Sequence, residues 1–336
     1  MSNGEPSVGL LWDTFSGYQR TAVLKAAIEL DLCTLIAGGT ATIEALAART
    51  KAAPRGLRAL LNHLVVDGFL TRDGDRYTLS PTAAAFLDRN SPGYLGAAVS
   101  FIASPYVVEG FSRLTDAVRR GGSAIPNEGS LAPEHEMWVE FARSMSGLAA
   151  MTGMLLANLL EVEHAPAWKV LDIAAGHGMF GISLARLNPQ VQVTALDWAN
   201  VLTVATENAR AAGVSARFRT LAGSAFDVPF GDGYDLVLMP NFLHHFDPSG
   251  CERVLAKAHA ALAPGGRVVI VEFVPQEDRL GPPEAVRFSI AMLAGTPAGD
   301  AYTFDEYRNM LDHAGFRDAT LHDLAPSPHK VIIAKR

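Results

Sequence analysis

Short β-rich runs alternate regularly with helical segments from Trp168 to the C-terminus, and this alternation admits few folds. We predict strands at 169–173, 191–196, 216–221, 235–239 and 267–273, with helices near 180–187, 201–212 and 250–263. Strands that alternate with helices in this way build a parallel sheet from βαβ units, with the helices packed on its faces. This part of the chain is therefore predicted to be an α/β domain.

The segment after the fifth strand predicts how the sheet ends. Two more helices, near 284–294 and 303–314, precede two final strands at 319–323 and 330–334. Strands this close in sequence can pair as an antiparallel hairpin. We predict a Rossmann-like sheet of seven strands, a variant of the doubly wound fold.

The first half of the chain has mainly helical periodicity. Thr42 can cap a short helix, and Pro54 is placed to start a second helix that ends at Asp67-Gly68. Asp73-Gly-Asp then gives a tight hairpin signal. Two helices followed by a two-stranded hairpin, the wing, predict a winged helix. The predicted domains are a winged-helix-like domain at 1–105, further helices at 106–163 and the Rossmann-like domain at 164–336.

Composition and charge restrict the classes of partner. The chain has 336 residues, a formal net charge of −7 and 49% hydrophobic residues, which argues against a broad nucleic-acid-binding face. Its two cysteines, Cys33 and Cys251, have no Cys/His cluster near them, so we expect no disulfide framework or structural zinc. No apolar run reaches the ~18 residues of a membrane span, and the first residues lack a secretory signal. We predict a cytoplasmic protein without membrane or nucleic-acid partners.

The strongest motif is VLDIAAGHGMFG, which runs from an apolar strand through a glycine turn into a helix. Gly176 and Gly178 allow the backbone to turn sharply and to approach a ligand closely. The helix that begins near Met179 presents unpaired N–H groups. With Gly181 the motif also reads G-x-G-x-x-G, so a dinucleotide and an oxidoreductase remain an alternative.

Two acidic residues favour S-adenosylmethionine over a dinucleotide. Asp172 lies at the end of the first strand, before the glycines, where it can face the cationic amino-acid end of that cofactor but would repel a pyrophosphate. Asp197 ends the next strand and can accept both hydroxyls of a ribose, which suits either cofactor. The order of the two acids and the glycines predicts a nucleoside site at the carboxyl ends of the strands.

The adenine is expected near Gly223-Ser-Ala-Phe-Asp, after the third strand. Phe226 and Trp198 can pack on its ring, and Ser224 or Asp227 can form hydrogen bonds to it. The full predicted set of cofactor contacts is Asp172, Ala174, Gly176, Gly178, Asp197, Trp198, Gly223, Ser224, Ala225, Phe226 and Asn241.

From Trp168 onward the sequence resembles the plant-type small-molecule O-methyltransferases and their bacterial relatives, such as the phenolic and hydroxyindole enzymes. The residues that carry the resemblance are VLDIAAGHG, ALDW, AGSAF, PNFLHHF and VIVEF. The helical first half resembles the dimerisation domain of that family. The resemblance implies methyl transfer from S-adenosylmethionine to a small-molecule hydroxyl, and a homodimer formed through the N-terminal domain.

The same resemblance implies a general base and its partner. The L-H-x-[WF] pattern of the family aligns its catalytic histidine with His244, and its orienting carboxylate with Glu272. Methyl transfer from a sulfonium requires the acceptor to lose its proton, and a histidine can take that proton near neutral pH. His244, His245 and Glu272 could also form a metal site, but adjacent histidines point in different directions, so we expect no metal.

Several positions depart from the family pattern. The family's second supporting carboxylate falls at Ala301, with Asp300 adjacent, and its adenine-binding aspartate falls at Ser224. Pro240 replaces a common lysine, and Ala174 replaces a loop glycine. These departures keep C- or N-methyl transfer open as alternatives.

The acceptor is expected to meet a long helix predicted at about 134–160, the segment around His244 and the helix after the fifth strand. The candidate residues are Trp138, Phe141, Arg143, Met145, His245, Phe288 and Met292. A DNA-binding regulator remains a further alternative because of the winged helix, although Arg55, Arg58 and His63 give its second helix few basic residues.

Overall fold

The computed structural model describes residues 6–126 and 134–336, which separate into two units between Ser104 and Pro105. The first unit consists of α1 (Val8–Glu29), α2 (Leu32–Ala37), α3 (Ile43–Thr50), α4 (Pro54–Val66), β1 (Leu70–Asp73), β2 (Arg76–Leu79), α5 (Pro81–Phe86) and α6 (Ala98–Ile102). Strands β1 and β2 form an antiparallel hairpin.

Local signals explain the first unit. The Thr42 hydroxyl accepts a hydrogen bond from the N–H of Ala45, which caps α3, and Pro54 opens α4. Leu57, Leu61 and Leu64 lie on one face of α4 and are buried, as their helical spacing predicts. The predicted helix, helix and two-stranded wing are confirmed.

The second unit contains the remaining helices and a seven-stranded sheet. Its helices are α7 (Pro105–Ser112), α8 (Leu114–Arg120), α9 (Met137–Leu159), α10 (Met179–Leu187), α11 (Ala199–Ala211), α12 (Pro248–Ala261), α13 (Pro283–Gly295) and α14 (Phe304–His313). Its strands are β3 (Lys169–Ile173), β4 (Gln192–Asp197), β5 (Phe218–Ala222), β6 (Tyr234–Pro240), β7 (Leu262–Glu272), β8 (Arg317–Asp323) and β9 (Lys330–Lys335).

The strand order of this sheet is β5-β4-β3-β6-β7-β9-β8. The first five strands in that order are parallel, while β9 is antiparallel to both β7 and β8. The order reverses between β3 and β6, where open α/β sheets bind ligands at the carboxyl ends of their strands. The predicted seven-stranded Rossmann-like sheet with its terminal hairpin is confirmed.

The largest difference from the predicted boundaries is at strand β7. Strand β7 begins at Leu262 rather than Arg267, because Leu262 pairs with Tyr234 before a register shift brings Arg267 opposite Leu236. Gly265, with a φ of +80°, lies within this irregular stretch. Helix α12 consequently ends at Ala261. No helix within the described ranges combines the length and the apolar character needed to cross a membrane.

Candidate active site

The turn between β3 and α10 has the backbone conformation that its glycines predict. Ala174, Gly176 and Gly178 have φ values of +52°, +57° and +73°. A Cβ on Gly178 would lie 3.1 Å from both Ala205 Cβ and Phe218 Cζ, so close packing as well as conformation favours glycine there. Ala174 adopts the left-handed region with a side chain, at a cost of roughly 1–2 kcal/mol. The turn brings the backbone to the edge of the sheet without large side chains.

His177, in the same turn, has a structural role. Its Nδ1 accepts a hydrogen bond from the N–H of Met179 at 3.1 Å, which caps the start of α10. Burial lowers the pKa of His177 to about 4, so the ring is neutral. Its ring stacks on Phe141 with the centroids 6.1 Å apart. His177 therefore covers the turn, and its Nδ1 is occupied by the backbone of α10.

Asp172 is fully buried at the end of β3, and one of its oxygens lacks a partner. Oδ2 accepts a hydrogen bond from the N–H of Gly181 at 3.0 Å, whereas Oδ1 has no hydrogen bond within the part of the chain that the structure describes. The pKa of Asp172 is raised to about 7, mainly by burial, with a smaller rise from the nearby Asp197 and an opposing effect of the hydrogen bond from Gly181. A buried acceptor without a donor is unfavourable. A cationic N–H donor supplied by a ligand would satisfy it.

Asp197 lies at the end of the neighbouring strand β4. Its Oδ2 accepts from the N–H of Gly176 and its Oδ1 from the N–H of Trp198, both at 2.7 Å. Burial raises the pKa of Asp197 to about 6, and these two hydrogen bonds oppose the rise. Each carboxylate oxygen can accept a second hydrogen bond. The side chain is thus held in one orientation and can still bind two hydroxyl groups.

The loop at 223–228, after β5, is attached to this site through the N–H of Gly223, which donates to the Asp197 carbonyl at 2.9 Å. The Ser224 hydroxyl accepts from the N–H of Phe226 at 3.1 Å and so closes a tight turn. The N–H of Ala225 has no acceptor among the described residues. Trp198 packs on α9 and α11, beside Val201. The structure thus brings the predicted adenine residues to the carboxyl edge of the sheet.

His244 and Glu272 form a buried pair across the ends of β6 and β7. His244 Nδ1 lies 2.6 Å from Glu272 Oε2, and Glu272 Oε1 accepts from the N–H of Phe242 at 3.0 Å. The two side chains are 4% and 0% exposed. Burial lowers the pKa of His244 and raises the pKa of the Glu272 carboxyl. When Glu272 is ionised, the neutral imidazole donates from its Nδ1–H to Glu272, which leaves Nε2 as the acceptor.

Aromatic rings surround this pair. The ring of Phe288, on α13, lies 4.7 Å from that of His244, and the ring of His245 lies 4.2 Å from it. His245 in turn lies 5.3 Å from Trp138, on α9. The Nδ1 of His245 is buried without a hydrogen-bond partner in the described residues. The rings of this cluster meet edge to face or tilted, and the Nδ1 of His245 is a buried polar atom among them.

The remaining predicted acceptor residues divide into two groups. Phe141 and Met145 follow Trp138 at helical spacing on the same face of α9, and Met292 follows Phe288 by one turn of α13. Arg143 is not brought to this face. Its guanidinium is 52% exposed and forms an ion pair with Glu207 at 2.8 Å.

Asp300 does not replace the carboxylate that is missing at Ala301. Its oxygens accept hydrogen bonds from the Ser289 hydroxyl and from Arg279 Nη1, the latter at 3.0 Å. Arg279 also contacts both oxygens of Glu306. These ionic contacts hold Asp300 in a separate network, so Glu272 is the carboxylate that contacts His244.

Sequence reasoning missed His329, which lies between β8 and β9. Its Nε2 is 3.0 Å from Asn241 Oδ1, and its Nδ1 is 2.8 Å from the Ser327 hydroxyl. Its ring lies 4.3 Å from Phe273, the residue after Glu272. Asn241 has a φ of +52°, and its amide is oriented by His329. The Ser-Pro-His sequence of this hairpin carries no signal for such a contact.

Within the described residues there is no group of three His, Cys, Asp or Glu side chains that could hold a metal ion. His244 is paired with Glu272 instead. The expectation that the protein binds no metal stays a prediction.

The sheet order, the glycine turn and the two acidic strand ends define the class of S-adenosylmethionine-dependent methyltransferases. The O-methyltransferase domain family matches residues 111–317, and the O-methyltransferase dimerisation domain family matches residues 12–89. The chain therefore belongs to the O-methyltransferase family that its sequence resembles. The predicted methyl transfer to a small-molecule hydroxyl and the predicted cofactor are confirmed at the level of this family.

Individual relatives agree with this assignment. The 3-hydroxy-5-methyl-1-naphthoate 3-O-methyltransferase of Streptomyces sahachiroi is 32% identical, over 96% of this chain and 94% of its own. A solved structure from Nostoc punctiforme PCC 73102, assigned as an O-methyltransferase, is 48% identical, with a TM-score of 0.94 over 99% of this chain and 100% of its own. Human N-acetylserotonin methyltransferase, solved with S-adenosylmethionine, shares the fold, with a TM-score of 0.87 at 23% identity over 100% of this chain and 99% of its own.

Proposed function

We propose that this protein transfers a methyl group from S-adenosylmethionine to a hydroxyl of a planar aromatic small molecule, with His244 as the general base. The observation that carries the proposal is the buried hydrogen bond of 2.6 Å between His244 Nδ1 and Glu272 Oε2. With Glu272 ionised, this hydrogen bond selects the tautomer in which Nε2 is free to accept a proton. Bound S-adenosylmethionine supplies an electrophilic methyl group on a sulfonium.

Asp172 and Asp197 would hold the two ends of the cofactor. The unpaired Oδ1 of Asp172 fits the α-ammonium group, and the two oriented oxygens of Asp197 fit the ribose hydroxyls. The N–H of Ala225 is a donor for an adenine nitrogen, with Ser224, Phe226 and the other predicted contacts around it. The orphaned carboxylate oxygen is the feature that best matches a cationic ligand.

His244 would take the proton from the acceptor hydroxyl as the oxygen attacks. Burial lowers the pKa of His244, so the imidazole is neutral before the reaction and ready to accept. The imidazolium that forms is stabilised by the carboxylate of Glu272, because an opposite charge within hydrogen-bond distance favours the charged form. Glu272 in turn is fixed by the N–H of Phe242.

The acceptor would lie among the rings of Trp138, His245 and Phe288. These side chains offer flat apolar surfaces and a buried Nδ1 on His245 that lacks a partner among the described residues. A planar aromatic alcohol matches both features, and a curated relative acts on a naphthoate. Phe141, Met145 and Met292 would complete the surface, while the role predicted for Arg143 stays a prediction.

The experiment on the base compares His244→Gln with the wild-type chain. We expect turnover to fall by ~10²–10⁴, since the proton acceptor is lost, while the affinity for S-adenosylhomocysteine measured by calorimetry stays within about twofold. Product analysis by NMR distinguishes O- from C- and N-methylation. His164→Gln is the matched control, because His164 lies in the 3-10 turn after α9. Full activity of His244→Gln would exclude a base at this position.

We infer further that two copies of this chain form a homodimer through the N-terminal unit. The match of residues 12–89 to a dimerisation domain family supports this, and so does the apolar surface of α1. The absence of nucleic-acid and membrane partners and the cytoplasmic location stay predictions.

A further inference from the structure

Lys257, on α12, makes an unusual set of contacts with the loop at 223–228. Its Nζ donates hydrogen bonds to the carbonyl oxygens of Ala225 and Phe226, both at 2.7 Å, and to that of Val228 at 3.0 Å. An ammonium group has three N–H donors, and all three are used. The nitrogen also lies 4.5 Å from the centroid of the Phe230 ring.

Ala225, Phe226 and Val228 pack on the core of the second unit, and the hydrogen bonds from Lys257 add to this packing a fixed position for the loop backbone. Its turn is closed by Ser224, whose hydroxyl and carbonyl accept from the backbone N–H groups of the next residues. The three carbonyls that converge on Lys257 come from within four consecutive residues, and without a cation their dipoles would repel one another. Hydrogen bonds to a charged donor are about twice as strong as neutral ones.

The same helix reinforces the loop one turn earlier. The Arg253 guanidinium lies over the Phe226 ring, 5.5 Å from its centroid, and that ring contacts Phe246 at 4.9 Å. Residues four apart on a helix share a face, so Arg253 and Lys257 approach the loop together. Two cations from α12 thus fix the backbone and the aromatic side chain of the loop.

We propose that Lys257 is a positioning residue that holds the 223–228 loop in the conformation that receives the adenine of the cofactor. This rests on the proposed function, in which the loop binds adenine. Lys257 approaches the loop through its backbone carbonyls and acts through Ala225 and Phe226, without a part in the chemistry of His244 and Glu272.

Loss of Lys257 should therefore weaken cofactor binding rather than slow the chemical step. When only a fraction of molecules have the loop in its competent form, the apparent dissociation constant rises by the inverse of that fraction. We expect Lys257→Met to raise the dissociation constant of S-adenosylhomocysteine and the KM for S-adenosylmethionine by ~10-fold or more. We expect kcat at saturating cofactor to change less than about threefold, because binding energy restores the loop.

Lys169→Met is the matched control. Lys169 Nζ also donates to a loop carbonyl, that of Asp232, at 2.6 Å, and it lies 4.4 Å from the centroid of the Tyr234 ring. The Lys169→Met variant therefore loses the same kind of contacts as Lys257→Met, but at a turn away from the 223–228 loop. The affinity of the Lys169→Met variant for S-adenosylhomocysteine should stay within about twofold of the wild-type value. Lys257→Arg, which keeps a fixed charge and several donors, should recover most of the affinity lost in Lys257→Met.

Calorimetric titration with S-adenosylhomocysteine and steady-state kinetics decide between the outcomes. Wild-type affinity in Lys257→Met, or a fall in kcat with unchanged KM, would overturn the role of Lys257. No binding of S-adenosylhomocysteine to the wild-type protein would instead overturn the proposed function. If Lys257→Met does not fold by circular dichroism, the comparison of Lys257→Gln with Lys257→Arg carries the test, because glutamine supplies fewer donors and no charge.

Discussion

Asp172 and Asp197 end neighbouring parallel strands, and burial raises the pKa of the two carboxyl groups to about 7 and about 6. A carboxyl group with a raised pKa keeps its proton to a higher pH than an exposed one. A cationic ligand or a pair of hydroxyl donors binds the ionised form. In the cofactor roles that we propose for them, the two residues link cofactor binding to the release of protons.

We predict that the affinity for S-adenosylhomocysteine rises with pH between about 5 and 8. The sign follows from the raised pKa values, because below pH 6 both carboxyls are largely protonated and binding must displace their protons, whereas above pH 7 they are ionised. Calorimetry in buffers of different ionisation enthalpy measures this release. Asp172→Asn should bind more weakly and show a flatter pH profile, and a pH-independent affinity in the wild-type protein would contradict the assignment.

His244, the base that we propose, combines burial with a short contact to Glu272. Burial alone would make the imidazole a poor proton acceptor, because a charged ring is unfavourable there. The short contact from Nδ1 to Glu272 offsets this cost when the ring becomes charged. Asp300, which adjoins the position of the missing family carboxylate, is held by Arg279 and Ser289. Of these two carboxylates, only that of Glu272 contacts the His244 ring.

At the scale of elements, the packing of α10 on β3 and β4 determines the geometry of the glycine turn. The N–H of Gly181, in the first turn of α10, donates to Asp172 Oδ2 at 3.0 Å. A Cβ at Gly181 would lie 2.7 Å from Val193 Cγ1 and 2.9 Å from Asp172 Oδ2. The helix approaches the sheet closely enough to make this hydrogen bond only because residue 181 lacks a side chain.

We predict that Gly181→Ala lowers the free energy of unfolding by about 1–3 kcal/mol, because the added methyl group forces α10 away from β4. The affinity for S-adenosylhomocysteine should fall as well, since Asp172 loses its fixed position. Urea unfolding and calorimetry measure the two effects.

Gly56→Ala is the control for Gly181→Ala. Gly56 is helical, and a Cβ there would meet no atom within 4 Å. Alanine should therefore leave the free energy of unfolding unchanged or raise it by up to about 1 kcal/mol. Equal effects of the two substitutions would show that close packing at Gly181 is unimportant.

At the scale of the whole molecule, the exposed apolar surface is concentrated on α1. Leu10, Trp12, Phe15 and Tyr18 are 68%, 66%, 64% and 73% exposed. Large exposed apolar patches mark interaction sites in soluble proteins. Because residues 12–89 match a dimerisation domain family, we propose that a second copy of this chain covers the apolar surface of α1.

We predict that the double variant Trp12→Ser, Phe15→Ser shifts the protein from dimer to monomer in sedimentation equilibrium, because it removes two large apolar side chains from the patch. Leu280→Ser is the control, as Leu280 is 81% exposed in the other unit. A wild-type protein that is monomeric would contradict the homodimer. A double variant that stays dimeric would show that the dimer interface does not depend on α1.

The fold could be predicted far more completely than the site. The strands, the helices, the glycine turn and the positions of Asp172 and Asp197 depend on periodicity and on residue types that are local in the chain. The resemblance added His244 and Glu272 as a pair. Arg143 shows the limit, because residue type and spacing could not tell that its side chain would contact Glu207 at the surface.

The sequence by itself determined the order of elements and the edge of the sheet at which we propose that a nucleoside binds, because strand ends and turns follow from neighbouring residues. Only the tertiary structure decided that Lys257 binds the carbonyls at 225–228, that His329 orients Asn241, and that Asp300 is held by Arg279. The partners of each pair are 32, 88 and 21 residues apart in the chain. Contacts at such separations depend on how whole elements pack, and no local pattern encodes them.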